Sequence, residues 1–574
     1  MNPKFIYIFR NLSKNNLQIQ FMSTNSMKLS LIILTIGISN LSVAQESKET
    51  LNWYNGKGPG METEKAYKML KKRKSSTVIV AVIDSGVDIE HKDLAGKIWI
   101  NSDEKANNGI DDDKNGYIDD VHGWNFLGNA NGANMNEACL EKTRILRELT
   151  AKFESVDPET LSASEKVEYK LYMKVKEEVE DELKNYTSYL SQLEMVNRMI
   201  GQVPAMVGSA MGKPNYTLKD LKKWKPADEQ MAQMKSFAMA IATGELTDGV
   251  IAEQKKSIEQ MVNYNLNVDF DDRAIIGDNP NDFKDRKYGN PDVEGPDAMH
   301  GTHVGGIIGA VRGNDLGGDG VAENVSLMVL RAVPNGDEFD KDIALAVIYA
   351  VDNGAKVINM SFGKGYSPHQ KEVFEAFKYA DSKGVLLVHA SGNDNADVDV
   401  NPNFPTSMYS FQSEKLDLFL TIGASTRNSK SMDAASFWQV LFSFGKVKRD
   451  HKAHLAAPFS NYGQKSVDVF APGNEIYNSV PQSDYKSLQG TSMAAPMVSG
   501  VAAMLQSYFP ALTMHEIKAI LLKSARSYKG TNHVKPGSEE LVDFATLSVT
   551  GGVINVKNAV KMCLDLEKSK AQAK

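Results

Sequence analysis

Gly490-Thr491-Ser492-Met493-Ala494-Ala495-Pro496, followed by Met497-Val498-Ser499-Gly500-Val501-Ala502-Ala503-Met504-Leu505, is a turn of small residues that runs straight into an apolar helix. Ser492 therefore stands at a helix N-terminus, where unpaired backbone N–H groups and the helix dipole favour a developing negative charge. That environment suits a nucleophile. A serine hydroxyl is a poor nucleophile until a base removes its proton, so the reading requires a histidine and a carboxylate elsewhere in the chain.

Working outward, the carboxylate is found in Thr77-Val78-Ile79-Val80-Ala81-Val82-Ile83-Asp84-Ser85-Gly86-Val87-Asp88, an apolar run that ends in an acid and a glycine turn. Such a run predicts a strand buried on both faces, with Asp84 at its carboxyl end, where open α/β sheets place their sites. The histidine is His300 in His300-Gly301-Thr302-His303-Val304-Gly305-Gly306, at a predicted helix start. Taken singly, Asp84 reads as a strand-end turn former, His300 as a helix-terminus residue and Ser492 as an N-cap. His303 reads as structural.

With these residues in place, the chain resembles the subtilisin-like serine peptidases. DSGVD at Asp84, HGTHVGG at His300 and GTSMAAP around Ser492 match that family's three active-site motifs in its order of Asp, His, Ser. Ser391-Gly392-Asn393 resembles the segment whose asparagine completes the oxyanion hole. The likeness spans about residues 60–135 and 270–560. It implies an α/β fold, a mainly parallel twisted sheet flanked by helices, here with an inserted helical subdomain. It implies an endopeptidase acting on protein or peptide substrates. Asp84, His300, Ser492 and Asn393 would be catalytic. Ser361, Phe362 and Gly363 would pair with an extended substrate, and Ala390, Ser391 and Gly392 would form the other wall of the pocket. Phe362 and Lys364 depart from the commoner leucine and second glycine of that strand, which leaves specificity open. The rival from another class is a non-catalytic binding protein on the same scaffold, using the helical insertion. Against it, no triad residue is missing.

The 574 residues are 42% hydrophobic and 24% charged, ordinary for globular protein. A net charge of −7 gives no basic excess to neutralise phosphates, which argues against nucleic acid as a partner. Met27-Lys28, the apolar run Leu29 to Leu41 and the small residues Ser42-Val43-Ala44 follow the order of a secretory signal, with Ala44 the last residue removed and translation starting at Met22 or Met27. Residues 1–44 are thus expected to leave, giving an exported protein, periplasmic or extracellular, with no stable membrane anchor. Cys139 and Cys563 are expected to be free, structural thiols. Residues 45–75 are too short for the folding-assisting propeptide common in the family.

Asn107 to His122 is acidic and broken by glycine. Asp111, Asp113 and Asn115 before Gly116 reproduce the first half of a calcium loop. The second half departs: the twelfth position is His122, so Ca2+ would need Asp119 or Asp120 and the Tyr117 carbonyl. The alternative is an acidic surface turn.

Residues 136–267 change to a helical pattern. Val167, Leu171, Val175, Val179, Leu183, Tyr186, Leu190, Leu193 and Val196 recur at steps of three or four, with Glu177, Glu178, Glu180, Asp181 and Glu182 on the other face. A second amphipathic stretch, Asp228 to Ala242, carries Met231, Met234 and Met239, expected to be core. With this insertion His300 lies 216 positions after Asp84. Its ends must lie together near the active-site face, so it either caps the cleft or stands as an inert outrigger. The peptidase domain then reads as residues 45–135 and 268–574. In the second part, strands at 325–332, 356–361 and 385–389 alternate with helices at 342–353 and 370–383, the rhythm of parallel crossovers. A second insertion, about Arg427 to Leu455, contains Trp438, Phe442 and Phe444.

Overall fold

The apolar run before Asp84 forms β1 (Val78–Asp84), and all but one of its residues are buried, as expected for a strand covered on both faces. The computed structural model describes residues 48–286, 288–427 and 454–572, so the leader at residues 1–44 and most of the insertion around Trp438 lie outside the described residues. Ahead of β1 comes α1 (Thr63–Leu70), and after it β2 (Gly123–Asn125). Residues 136–267 contribute α2 (Glu141–Phe153), α3 (Ala163–Ala210), α4 (Leu218–Lys223), α5 (Glu229–Thr243) and α6 (Asp248–Gln260).

The remainder alternates. In order come α7 (Met299–Gly309), β3 (Val325–Arg331), α8 (Asp340–Asp352), β4 (Val357–Met360), α9 (Gln370–Ser382), β5 (Leu386–Ala390), β6 (Phe419–Ser425) and β7 (Val469–Pro472). A hairpin, β8 (Ile476–Val480) with β9 (Asp484–Leu488), then leads into α10 (Thr491–Tyr508) and α11 (Met514–Ser524). The chain ends with β10 (Arg526–Ser527), the ribbon β11 (Asn532–Val534) and β12 (Leu541–Asp543), β13 (Gly552–Val553) and α12 (Val556–Gln572).

The main sheet runs β10-β13-β7-β6-β5-β4-β1-β3-β2, parallel throughout except for β10 at one edge. Alternate side chains of its strands feed two cores. Val80, Val82, Leu327, Val388 and Ile422 pack with α7, α10, α11 and α12, whereas Ala81, Ile83, Met328, Ile358 and Leu387 pack with α8 and α9. This is the doubly covered parallel sheet that the alternation of strand and helix implies. β1 lies between β3 and β4, so successive connections leave it in opposite directions, and Asp84 stands at that switch point.

The helices between β2 and α7 start and finish on the body together. Leu140 N donates to Asn265 O at 2.9 Å, and Asn265 Nδ2 donates to Ala138 O at 2.7 Å and Asn335 O at 3.0 Å. α3 has 48 residues, which at the helical rise makes a rod roughly 70 Å long. Two small cores steady it. Ile145, Leu146, Tyr172, Val175 and Val179 join α2 to its first half, and Leu193, Val203, Val207, Met234 and Phe237 join its second half to α4, α5 and α6. Met231 and Met239 pack against the second core. The apolar stripe read from the sequence starts too early: Val167 is 72% exposed, and the apolar packing between α2 and α3 begins only with Tyr169.

Candidate active site

Asp84 ends β1 and is 1% exposed. His300 Nδ1 donates to Asp84 Oδ1 at 2.6 Å, and Ser85 N donates to the same oxygen at 2.8 Å. A carboxylate can only accept, so this bond puts the imidazole proton on Nδ1 and leaves Nε2 with its lone pair. Contact is this close because the first turn of α7 carries a glycine: a Cβ on Gly301 would lie 2.1 Å from Gly86 O and 3.1 Å from Asp84 Cβ. The ring of His300 keeps about a third of its surface exposed (36%). Burial opposes its positive charge, but the Asp84 and Asp297 carboxylates outweigh that and hold its pKa above the ordinary value. His303, one helical turn on, is enclosed instead: its Nε2 bonds Ile476 O at 3.0 Å and Lys486 O at 3.1 Å, and burial drives its pKa down to about 3. It ties α7 to the β8–β9 hairpin.

Ser492 is the second residue of α10, so its backbone N–H has no intrahelical acceptor. Pro496 has no N–H to give the Ser492 carbonyl four residues back, and that carbonyl is taken by Ser361 Oγ at 2.9 Å. Behind it runs a buried chain: Asn359 Nδ2 donates to Ser361 Oγ at 2.9 Å, and Ser499 Oγ donates to Asn359 Oδ1 at 2.9 Å. Sequence reasoning missed Asn359 and Ser499, although one stands in the strand expected at 356–361 and the other in the quoted Ser492 segment, each polar within an apolar run. The Ser492 hydroxyl itself donates to Ser361 O at 3.1 Å.

Asn393 is exposed at the end of the turn after β5. Thr491 N and Thr491 Oγ1 both donate to its Oδ1, at 2.8 and 3.1 Å, and Gly392 N donates to Thr491 Oγ1 at 3.1 Å. With its oxygen held from the Ser492 turn, the amide has a side-chain Nδ2 for which no hydrogen-bond acceptor is found among the described residues. Thr491 is a further residue that the motif contained and its reading passed over.

Ser361, Phe362 and Gly363 continue from β4, and Ala390, Ser391 and Gly392 from β5, so the two segments leave adjacent parallel strands side by side. His389 Nε2 donates to Phe362 O at 2.8 Å beneath them, and Asn461 Nδ2 donates to Ser391 O at 2.8 Å. The departure at Lys364 has a destination. Its ammonium is buried between Glu141 of α2 (2.6 Å), Asp340 (2.8 Å) and Glu338 O (2.7 Å). Tyr366 OH next donates to Glu178 of α3 at 3.0 Å. The segment beyond Gly363 is thus fastened to the helical insertion.

On the acidic loop, Glu104, Asp111 and Asp113 present carboxylate oxygens within 4.8 Å of one another. Glu104 was not singled out in the sequence, because it lies before the motif and reaches back into it. Asn115 follows the same turn, its Nδ2 donating to Asp113 Oδ2 at 3.0 Å. The other expected ligands are engaged differently. Asp119 accepts Asn108 N and Gly109 N at 2.9 and 3.0 Å. Asp120 is buried, accepting from the Tyr349 hydroxyl, from Asn101 (3.0 Å) and from Asn115 (2.9 Å). The Tyr117 ring packs among Trp124, Phe126 and Tyr349. Cys139 and Cys563 are both buried and free.

Comparison with known proteins places the chain in a family. "Subtilisin-like protease 2" of Plasmodium falciparum is 37% identical over 213 residues, 36% of this chain and 13% of that protein. "Thermophilic serine proteinase" of Bacillus sp. (strain AK1) is 35% identical over 264 residues, 46% of this chain and 54% of that protein. "Thermitase" of Thermoactinomyces vulgaris is 35% identical over 235 residues, 40% of this chain and 69% of that protein. The chain thus spans about half or less of the first two. The family model described as "Subtilase family" matches residues 75–542, most of the sequence, and the chain belongs to that family.

Proposed function

We propose that this chain is an exported serine endopeptidase whose triad is Asp84, His300 and Ser492. The observation that carries the reading is the 2.6 Å bond from His300 Nδ1 to Asp84, which leaves Nε2 unprotonated and able to act as a base. Ser492 Oγ passes its proton to His300 Nε2 and attacks the peptide carbonyl. Asp84 keeps the imidazole in that tautomer and stabilises the imidazolium, which then protonates the leaving amine. The charge that develops on the carbonyl oxygen is met by Asn393 Nδ2 and the Ser492 N–H, and a donor of this kind is worth about 3 kcal/mol of barrier. The substrate lies extended between Ser361–Gly363 and Ala390–Gly392, pairing as an added strand.

Glu104, Asp111 and Asp113 form an all-oxygen set suited to a hard divalent cation, and these residues would hold structural Ca2+. The ion would neutralise carboxylates that otherwise repel. The insertion, fastened to Lys364 and Tyr366, restricts which substrates reach the cleft. Export fits the leader-like residues 27–44, and among the described residues no helix is long and apolar enough to cross a membrane.

Incubation of the protein with an unstructured polypeptide, followed by mass spectrometry of new termini, tests the reading. Internal cleavage by the native chain and none by Ser492→Ala is expected. A chain that binds the polypeptide and leaves it whole would be the scaffold-type binding protein instead.

A further inference from the structure

Arg331 closes β3 and, among the described residues, is the bulkiest side chain that is almost wholly enclosed, at 1% exposure. It is paired across the ladder with Asp84. Its guanidinium spends its donors on neutral acceptors: Nε on Ser85 O at 3.0 Å, Nη1 on Asn125 Oδ1 at 3.0 Å and Nη2 on Met135 O at 2.7 Å. No carboxylate forms an ion pair with it among the described residues, and Asp292 and Asp297 act on it only from further away. Burying a cation on such terms is costly. Burial lowers its pKa, to about 10, and it stays charged at neutral pH.

The four places it touches are not random. Ser85 follows the acid of the triad. Asn125 ends β2, and Met135 is the last turn before the helical insertion. The fourth is Gly295, five residues before His300, where the backbone has φ +65° and an ideal Cβ would lie 2.2 Å from Arg331 Nε. Only glycine lets the guanidinium pass there. A fork with planar, fixed donors suits such a junction, and an ammonium does not.

We infer that Arg331 is a positioning residue for the Asp84–His300 pair: it clamps the turn after Asp84, the segment leading to His300 and the start of the insertion into one unit. The inference rests on the triad reading above. It assigns the clamp no contact with substrate, so its loss acts through the geometry of the pair.

Arg331→Lys is the decisive variant, because it keeps a positive charge and removes the fork. The titratable groups that act on His300 are Asp84, Asp297 and His303, and all three stay in place. Loosening the Asp84–His300 bond withdraws what raises the His300 pKa. The expected result in correctly folded protein is kcat down about tenfold, KM for a short peptide within about twofold, and the acid limb of kcat/KM moved to lower pH by about half a unit. An unchanged kcat and an unmoved limb would overturn the inference, as would a loss confined to thermal stability. Should Arg331→Lys fail to fold, Gly295→Ala, which pushes the guanidinium aside, must show the same signature, and a fully active Gly295→Ala with an unmoved limb would equally overturn it. Wild-type labelling by a fluorophosphonate is run alongside. If the wild type is not labelled at Ser492, the triad reading has failed rather than the clamp.

Discussion

Ser361 and Ser492 exchange hydrogen bonds: each hydroxyl donates to the other residue's carbonyl, Ser361 Oγ to Ser492 O at 2.9 Å and Ser492 Oγ to Ser361 O at 3.1 Å. The nucleophile's turn and the segment proposed to pair with substrate are thereby a single rigid unit. The exchange exists because Pro496 leaves the Ser492 carbonyl without a helical donor.

Ser361→Ala should therefore lower stability by about 1–3 kcal/mol, the cost of leaving a largely buried carbonyl unpaired. Urea unfolding measures this, and Ser361→Thr should recover most of it. A Ser361→Ala protein with the wild-type midpoint would show that water replaces the serine without loss.

With His300 as the proposed base, its raised pKa should set the acid side of the activity profile. Burial opposes protonation, Asp84 and Asp297 favour it, and the balance lies above the ordinary value. The base must be neutral, so kcat/KM should rise through a pH above about 6.5. The linkage has the opposite sense for the fold. A folded-state pKa raised above the unfolded value gives a contribution that is complete below about pH 6.5 and lost as pH climbs through the folded value. Asp84→Asn should move the limb down and cut kcat by about 10⁴. A limb that stays put in Asp84→Asn would contradict the pairing.

Glu141 fastens the insertion. Burial works against its charge, but Arg144 and Lys364 hold its pKa down at about 2. Its contribution to stability is present above the unfolded value near 4.5 and lost as pH falls towards 2. Glu141→Ala should cost about 3 kcal/mol at neutral pH, the low end for breaking a buried pair, since Asp340 remains beside Lys364. Shortening the tip, residues 190–250, to a brief turn leaves this anchor in place. It should raise cleavage of folded proteins relative to a short peptide, and an unchanged ratio would make the insertion an outrigger.

Ca2+ should raise the unfolding midpoint in a concentration-dependent way, as any ligand of the folded state does. Glu104→Gln with Asp111→Asn should abolish that rise. Equal midpoints with and without calcium in the wild type would leave the loop as a hydrogen-bonded acidic turn.

The sheet and the candidate triad were legible because their signals are local: an apolar run ending in Asp84, glycines around His300, small residues around Ser492. What was not legible depends on partners far along the chain. Lys364 reads as a departure from a glycine until Glu141, 223 residues away, is seen beside it. Arg331 looks like the end of an ordinary strand. Glu104 joins Asp111 and Asp113 only through the fold of the loop. Val167 kept the helical period but stays out of the α2–α3 core, since periodicity gives a face and not where its apolar partner begins.

The most direct test of the triad is covalent labelling by a fluorophosphonate probe, with the modified residue identified by peptide mapping. The native protein should be modified at Ser492, His300→Ala should slow the reaction by orders of magnitude, and Ser492→Ala should abolish it. Modification at another serine, or a native protein that stays unlabelled, would contradict the assignment.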